Sequence, residues 1–234
     1  MCGFVAYEQS TIYEQPQWYD ELDASTELTQ LLVDWPEFSA YPAFGSDIRK
    51  RIPLLIQEDD DYKQVNAVWW FDAFDTDGIT KLGNRTSFNA RNLSSPFWKH
   101  ALNTKRGVIL ASELGESKLV GKTKHQYLMQ SNQAFLLGAL YKRLKNGDYC
   151  CAIITRDAHP KMEPYHDKAF PLFLPLDIKF THLWLGHETA EHPQIQSLLE
   201  QPKLFPSLHV QRVKTYKDKQ PIGNIQANLT SDLP

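Results

Sequence analysis

The feature that most constrains the fold is an irregular alternation of short segments with helical spacing and short strand-like runs along all 234 residues. Leu28, Leu31, Leu32 and Trp35 fall on one helical face, whereas other segments are brief runs rich in apolar and β-branched residues. The chain has no internal repeat and no low-complexity linker. This pattern predicts one domain, residues 1–234, of the α+β class with largely antiparallel sheets.

Apolar spacing and turn residues predict the individual elements. A hairpin is expected between 108–112 and 125–129, turning at Gly121-Lys122. The predicted helices are 17–35, 94–102, 133–145 and 193–201. The predicted strands are 51–57, 65–71, 108–112, 125–129, 149–155 and 208–213.

The composition excludes several classes of protein. Hydrophobic residues make up 42% of the chain and charged residues 23%, which is typical of a folded globular protein and excludes a mostly disordered one. The best apolar runs, at 135–141 and 170–174, fall well short of the ~20 residues that cross a bilayer. The N-terminus has no basic region followed by an apolar one, and three cysteines do not make a disulfide framework. We therefore expect a cytoplasmic monomer that has no membrane partner.

The net charge of −3 conceals an asymmetry along the chain. Residues 1–61 hold 13 acidic and 3 basic side chains, a charge of −10, and the remainder therefore carries +7. A moderately basic body can hold a polyanion. Solvated surface charge without a partner explains the same numbers, so charge alone leaves both readings open.

Three segments resemble metal or phosphate sites but fail on spacing. His187 and His192 are five apart, about 140° around a helix, so they do not form a zinc-protease pair. Gly121-Lys122-Thr123 lacks the upstream glycine of a phosphate loop, since that position is Glu116. Cys150-Cys151 lies in an apolar run and is expected in the core. We predict no metal site and no cofactor.

The N-terminal sequence Met1-Cys2-Gly3 carries the most informative chemistry. Removal of Met1 would leave Cys2 with an α-amine and a thiol on adjacent carbons. The reference pKa of such an amine is about 7.7–8.0, so a useful fraction is neutral and nucleophilic near pH 7. An aminothiol of this kind condenses with an aldehyde to an imine, and the thiol then closes a thiazolidine ring. The same thiol beside an amine base can instead attack an amide.

Four later segments follow this start in a fixed order. The sequence resembles the SOS response-associated peptidase (SRAP) family, whose members begin Met-Cys-Gly and carry an Asn-Ala-Arg motif, an Arg-rooted strand ending in Glu, a His-Asp-Arg segment before a proline, and a terminal Val-Gly-Asn. The matching residues here are Phe88–Arg91, Arg106–Ala111 with Glu116, Ala152–Thr155 with His166–Lys168 and Pro171, and Ile222–Asn224. The resemblance spans nearly the whole chain and implies a barrel-like core with flanking helices.

The chain departs from the family pattern at several positions. The arginine after Met-Cys-Gly is Phe4, the usual Trp-Gly is Trp69-Trp70, and an Asp-Gly-Phe-Tyr-Glu-Trp stretch has become 112–117. The arginine after His-Asp is Lys168, and an extra residue precedes Pro171. These changes leave in place the residues that match the catalytic positions of the family, Cys2, Asn89, Glu116 and His166. They put in doubt which DNA structure the protein would prefer.

The resemblance implies binding of single-stranded DNA, covalent capture of abasic sites in a DNA-damage (SOS) response, and self-removal of Met1, with autopeptidase and lyase-like activity. Cys2 would supply the amine and thiol, and Glu116 would shuttle protons. His166 would protonate the ring oxygen of the sugar. Asn89 would hydrogen-bond the sugar, and Arg91 would hold the adjacent phosphate.

Four further residues are expected to contact DNA. Trp69 and Trp70 would stack on unpaired bases, and Arg85 and Arg106 would lie along the DNA backbone. Alternation along a strand would bury part of this aromatic group, so at least one tryptophan is expected in the core.

Two other functions remain open from the sequence. A glutamine amidotransferase of the N-terminal-cysteine type also begins Met-Cys-Gly, but its later motifs are not found at matching positions, and Asn146-Gly147 lies too late. A single-stranded DNA binding module that has lost crosslinking is the non-enzymatic alternative. The substitutions that flank Glu116 make this alternative credible.

Overall fold

The computed structural model describes residues 3–12, 27–44, 47–224 and 227–233. Within them lie fourteen strands, four α-helices and a 3-10 turn at Gln9–Thr11. The helices are α1 (Glu27–Val33), α2 (Pro96–Thr104), α3 (Ile178–Leu185) and α4 (Pro193–Glu200). The strands are β1 (Phe4–Tyr7), β2 (Phe38–Ala40), β3 (Arg51–Glu58), β4 (Asp61–Val68), β5 (Ala73–Thr76), β6 (Ile79–Leu82), β7 (Asn89–Ala90), β8 (Arg106–Val120), β9 (Thr123–Arg143), β10 (Tyr149–Arg156), β11 (Phe170–Pro171), β12 (Phe173–Leu174), β13 (Leu208–Val213) and β14 (Ala227–Leu229).

Five strands close into a ring. The pairing order β9–β10–β4–β3–β8 returns to its start because β8 also pairs with β9. Within this ring the pairing of β10 with β4 is parallel, and the other pairings are antiparallel. Strands β1 and β2 extend the sheet from β8, and β13 and β14 extend it from β9. The α+β class with a largely antiparallel sheet is therefore confirmed.

The long strand β9 is buried on both faces, and it corrects one prediction. Phe135 and Leu137 belong to one apolar cluster, whereas Leu136 and Leu140 belong to a second cluster on the other side of the sheet. The helix predicted at 133–145 is wrong for this reason. A run that is apolar on both faces has no alternation of period two, so its spacing does not distinguish a strand from a buried helix.

The other element predictions fare better. The helices at 94–102 and 193–201 are confirmed as α2 and α4, and the hairpin turn at Gly121-Lys122 is confirmed between β8 and β9. Of the helix predicted at 17–35, residues 17–26 lie outside the described residues and the rest contains α1. Cys150 and Cys151 are buried and free, as expected of core thiols. Across the described ranges no helix is long and apolar enough to span a membrane.

Candidate active site

A cavity of about 950 Å³ opens where the β8–β9 hairpin meets the segments around 166–168 and 215–217. Four lysines line it, and four aromatic rings form part of its wall. This combination of cations and ring faces suits a ligand that is anionic and has flat apolar groups. The lysines are Lys50, Lys124, Lys168 and Lys217, and the aromatic residues are Tyr41, Phe44, Phe88 and Tyr216.

The N-terminal strand delivers the start of the chain to this cavity. β1 pairs with β8 in antiparallel register, with Phe4 opposite Gly115. The Gly3 N–H donates to the Gly115 carbonyl at 3.2 Å, and Gly3 lines the cavity. Cys2, the predicted nucleophile, lies outside the described residues, but its peptide bond to Gly3 is only ~1.33 Å long. The described geometry thus places the attachment point of Cys2 at the cavity wall.

Glu116 lies on β8, one residue beyond the partner of Phe4. Its side chain is 1% exposed. Burial raises the pKa of the Glu116 carboxyl above its ordinary value because the low-polarity surroundings disfavour the charged form, while the nearby positive charge of a protonated His166 acts in the opposite direction. Burial thus favours the proton-carrying form of this carboxyl, which suits a general acid.

His166 contacts both Glu116 and the neighbouring backbone. Its Nδ1 lies 2.8 Å from the Ser117 carbonyl oxygen and 3.5 Å from Glu116 Oε2. Because a carbonyl only accepts, Nδ1 carries the proton, and in the neutral ring Nε2 is then the basic nitrogen. The two predicted proton-transfer residues are thus brought together by the structure.

Lys118 holds the segment that carries His166 against β8. Its ammonium group donates to the Glu163 carbonyl at 2.6 Å and lies 3.1 Å from the Glu163 carboxylate and 3.8 Å from that of Asp167. The His166 N–H in turn donates to the Met162 carbonyl at 2.8 Å. These contacts fix the approach of the imidazole to Glu116.

Glu113, the other acidic residue in this part of β8, is directed away from the pair. Residues three apart on a strand point to opposite faces, so Glu113 and Glu116 lie on opposite sides of β8. Glu113 accepts from Gln130 Nε2 at 2.6 Å and pairs with Lys219 at 2.7 Å. Its role is therefore to hold the 215–219 turn against the sheet.

Tyr216 was not found by sequence reasoning. Its ring stacks on Phe4 with a centroid separation of 5.4 Å, and its hydroxyl donates to the Glu116 carbonyl at 2.6 Å. The ring packs against Gly115, where a Cβ would lie 2.8 Å from Tyr216 Cε1. No motif marks this position, because the residues it contacts lie 100 or more positions earlier in the chain.

Asn89 and Arg91 lie at the edge of the ring, near β10. Asn89 pairs with Ile153 in register, and Phe88, the residue before it, lines the large cavity. Arg91 is exposed, lies 3.3 Å from Asp157, and lines a second cavity of about 700 Å³. The two cavities are joined by the segment 88–91, which spans at most ~11 Å when extended.

Two predicted stacking residues are buried instead. Trp69 is fully buried with its indole N–H donating to the Phe88 carbonyl at 2.9 Å, and Trp70 donates to the Gly83 carbonyl at 3.1 Å while stacking on the Phe88 ring. The expectation that at least one tryptophan is core is confirmed, and the structure leaves neither with an open ring face. Among the aromatic residues of the cavity wall, Phe44 is the exposed one.

Arg106 is likewise not where DNA can reach it. It is 2% exposed, and its N–H groups donate to the carbonyls of Leu102, Asn103, Trp184, Gly186 and Glu188. Burial lowers the pKa of Arg106 to about 10. The guanidinium therefore anchors β8 to the segments around it. Arg85 differs from Arg106, because Arg85 is exposed and its guanidinium lies 4.2 Å from the centre of the Phe97 ring.

Among the described residues, no cluster of three or more His, Cys, Asp or Glu side chains is arranged to hold a metal ion. The loop 186–192 precedes α4, and His187 lies 2.8 Å from Asp60. The candidate site is therefore the cavity that Gly3 and His166 line, with Glu116 buried 3.5 Å from His166.

The chain is similar to known proteins in sequence and in fold. The model of the family described as SOS response associated peptidase (SRAP) matches residues 1–218. A solved structure of a protein from Bacteroides thetaiotaomicron is 19% identical with a TM-score of 0.56, over 78% of this chain and 80% of that one. Two structures from Bordetella bronchiseptica have TM-scores of 0.59, both over 92% of this chain. One is 14% identical over 100% of its own length, and the other, titled a phage-related protein, is 18% identical over 95%. At these identities the likeness shows the fold alone. No curated protein matches the chain.

Proposed function

The chain belongs to the SOS response associated peptidase (SRAP) family, and on that premise we propose that it binds single-stranded DNA and captures abasic sites covalently through Cys2. A DNA-damage-associated function follows from the family itself. The observation that carries the proposal is the position of Gly3 at the wall of a lysine-lined cavity, next to the Glu116–His166 pair.

The chemistry requires only the aminothiol and proton transfer. An abasic sugar opens to an aldehyde at C1′, and the amine of Cys2 condenses with it to give an imine and one water. The thiol then adds to the imine carbon, its proton passes to nitrogen, and a thiazolidine ring forms without any oxidant or reductant. Met1 must be removed first, because a retained methionine acylates the amine.

Glu116 and His166 supply the proton transfers in this proposal. The raised pKa of Glu116 lets a neutral carboxyl protonate the departing hydroxyl as the imine forms. His166 protonates the ring oxygen of the closed sugar and so promotes its opening to the aldehyde. Glu116 Oε2 lies 3.5 Å from His166 Nδ1, whose proton is donated to the Ser117 carbonyl, so Nε2 is the nitrogen through which His166 would exchange a proton with the substrate. The same pair can assist removal of Met1 and reversal of the crosslink.

Phosphate contacts would come from two groups of cations. The four lysines of the large cavity surround the reactive position, and Arg91 lies at the second cavity. Because 88–91 spans at most ~11 Å, neighbouring nucleotides of one strand can reach both. In this arrangement Asn89, between Phe88 and Arg91, contacts the sugar, and Arg85 is a more distant cation.

A denaturing gel shift tests the proposal. Purified protein, with loss of Met1 verified by intact mass, is incubated with single-stranded DNA that contains one abasic site and with the same strand carrying an intact base. A heat-stable adduct is expected with the abasic strand only, since an intact nucleoside offers no aldehyde.

The matched variant is Cys2→Ser, which keeps the amine but offers a poorer nucleophile for ring closure. It should give at most an imine that borohydride traps and heat dissolves, while non-covalent binding persists. If wild-type protein lacking Met1 forms no heat-stable adduct, the chain is a DNA binding module or has another function. Hydrolysis of glutamine by that protein would identify an amidotransferase.

A further inference from the structure

The tip of the β8–β9 hairpin exposes two adjacent apolar side chains. Leu119 is 66% exposed and Val120 is 47% exposed, although both belong to a regular strand. Leu119 also lines the large cavity, so the tip stands at the opening that receives the proposed substrate. Exposed aliphatic side chains at the opening of a cavity become buried only when a ligand or a partner covers them.

The tip is a rigid element. Leu119 pairs with Lys124 and Val120 with Thr123, and the ladder continues without interruption back to Glu113. The connection has two residues, with φ +60 at Gly121, the first of them, as type II′ turns require. An element that inserts between stacked bases must resist being pushed aside, and a two-residue hairpin meets this requirement.

The surroundings of the tip are positively charged. Lys122 and Lys124 are exposed at the turn, and Lys168 and Lys217 line the cavity beside it. An apolar tip among cations complements a polyanion whose interior is apolar. Stacked nucleobases beneath a phosphate backbone have that character, and apolar side chains are known to open base steps.

We propose that Leu119 and Val120 form a wedge that unstacks the nucleobase next to the captured nucleotide. Because adjacent residues on a strand point to opposite faces, Leu119 packs against the unstacked base on the cavity side and Val120 against the next base on the other side. Lys122 and Lys124 contact the phosphates on either side. This inference rests on the proposed function, and it assigns the hairpin tip to the flanking nucleotide rather than to the reaction itself.

A fluorescence assay tests the wedge without depending on crosslinking. The probe is single-stranded DNA with a tetrahydrofuran residue, which cannot open to an aldehyde, and 2-aminopurine as one or the other neighbouring base. 2-Aminopurine fluoresces more strongly when unstacked. Wild-type protein should raise the fluorescence at one of the two neighbours.

The variant is Leu119→Ser with Val120→Ser, which preserves both strands. It should lose the fluorescence increase and bind the probe about tenfold more weakly, while the slope of log affinity against log salt stays unchanged because no phosphate contact is removed. The matched control is Ile79→Ser. Ile79 is 56% exposed next to another two-residue hairpin turn and does not line the cavity. It should behave as wild type.

Parallel crosslinking to abasic DNA separates the two proposals. If wild-type protein unstacks the probe but forms no adduct, the crosslinking function fails and the wedge stands. If the adduct forms and the double variant keeps the full fluorescence increase, the wedge is overturned. A double variant whose DNA binding is unchanged but whose sedimentation shifts would identify the tip as a contact between copies of the chain, which also overturns the wedge.

Discussion

Substitution of Gly115 by alanine should disturb the site through the strand that carries its nucleophile. A Cβ at Gly115 would lie 2.8 Å from Phe4 Cβ and 2.8 Å from Tyr216 Cε1, about 0.6 Å short of the 3.4 Å at which ordinary contact begins. Phe4 Cβ is fixed by the backbone of β1, so the strand itself must move. The Gly3–Gly115 hydrogen bond is then weakened.

The cost follows from this crowding. Overpacking of a buried position destabilises the native state by up to ~3 kcal/mol. Alanine also restricts the unfolded chain more than glycine does, which stabilises the native state by ~0.7 kcal/mol. The net loss in the free energy of unfolding is therefore about 2 kcal/mol, which lowers Tm by roughly 4–8 °C in a domain of this size. Calorimetry or urea unfolding measures this loss. Crosslinking to abasic DNA should slow even at temperatures where the variant remains folded, because β1 is displaced.

Two comparisons make the test decisive. Gly138→Ala, in β9, places its Cβ 3.0 Å from both Leu172 Cδ2 and Trp184 Cζ2. These contacts are longer than the 2.8 Å contacts at Gly115 and do not involve β1, so this variant should be less destabilised and should crosslink normally. Tyr216→Ala removes the ring contact, and it should reduce the cost of Gly115→Ala in a double-mutant cycle. Additivity of the two changes within ~0.5 kcal/mol would refute the crowding argument.

Three further predictions concern charged residues. Burial raises the pKa of the Glu116 carboxyl in the native protein. As pH rises, the unfolded chain therefore releases this proton at a lower pH than the native protein does. The free energy of unfolding falls as pH rises from the unfolded-state pKa to the native-state pKa. Glu116→Gln should thus match wild type in the free energy of unfolding at about pH 4 and exceed it near neutrality, and a constant difference across urea unfolding curves at several pH values would contradict this. Arg106→Gln should lower the free energy of unfolding by at least about 3 kcal/mol, because it leaves buried carbonyls unpaired. The slope of log DNA affinity against log salt should stay unchanged. A slope reduced by about one would mean that Arg106 contacts a phosphate. Lys118→Met should speed amide hydrogen exchange at His166 and slow adduct formation several-fold. Unchanged exchange would show that Lys118 does not hold the segment 162–167 in place.

The fold class was predictable from the sequence, whereas the candidate site was predictable only in part. Glu116 and His166 were assigned through the resemblance to the SRAP family, and the structure brings these two residues together. Arg106, Trp69 and Trp70 were assigned to DNA because their side chains are common there. Their burial depends on carbonyls supplied by distant segments, such as Trp184 for Arg106, and no local pattern reveals such partners.

The remaining errors have a similar origin. The C-terminal part of β9, from residue 133, was predicted as a helix because a strand buried on both faces lacks the alternation of period two that identifies strands in a sequence. The helix α3 was missed even though Asp177 precedes it and accepts from the Phe180 N–H at 2.9 Å, a capping pattern that is visible in the sequence. Tyr216 and Lys118 act through contacts with residues distant in the sequence, which no local pattern reveals.

The pairing of β1 with β8 has a consequence for the order in which the site is assembled. Synthesis reaches Gly3 more than 100 residues before its partner Gly115 on β8. It reaches His166 later still, and then Tyr216. At synthesis rates of about 5–20 residues per second, the start of the chain waits on the order of ten seconds or more for the groups that would activate it. In the proposed reaction, a nascent chain would therefore present Cys2 before Glu116 and His166 are in place, and it would become competent only after Tyr216 has been made.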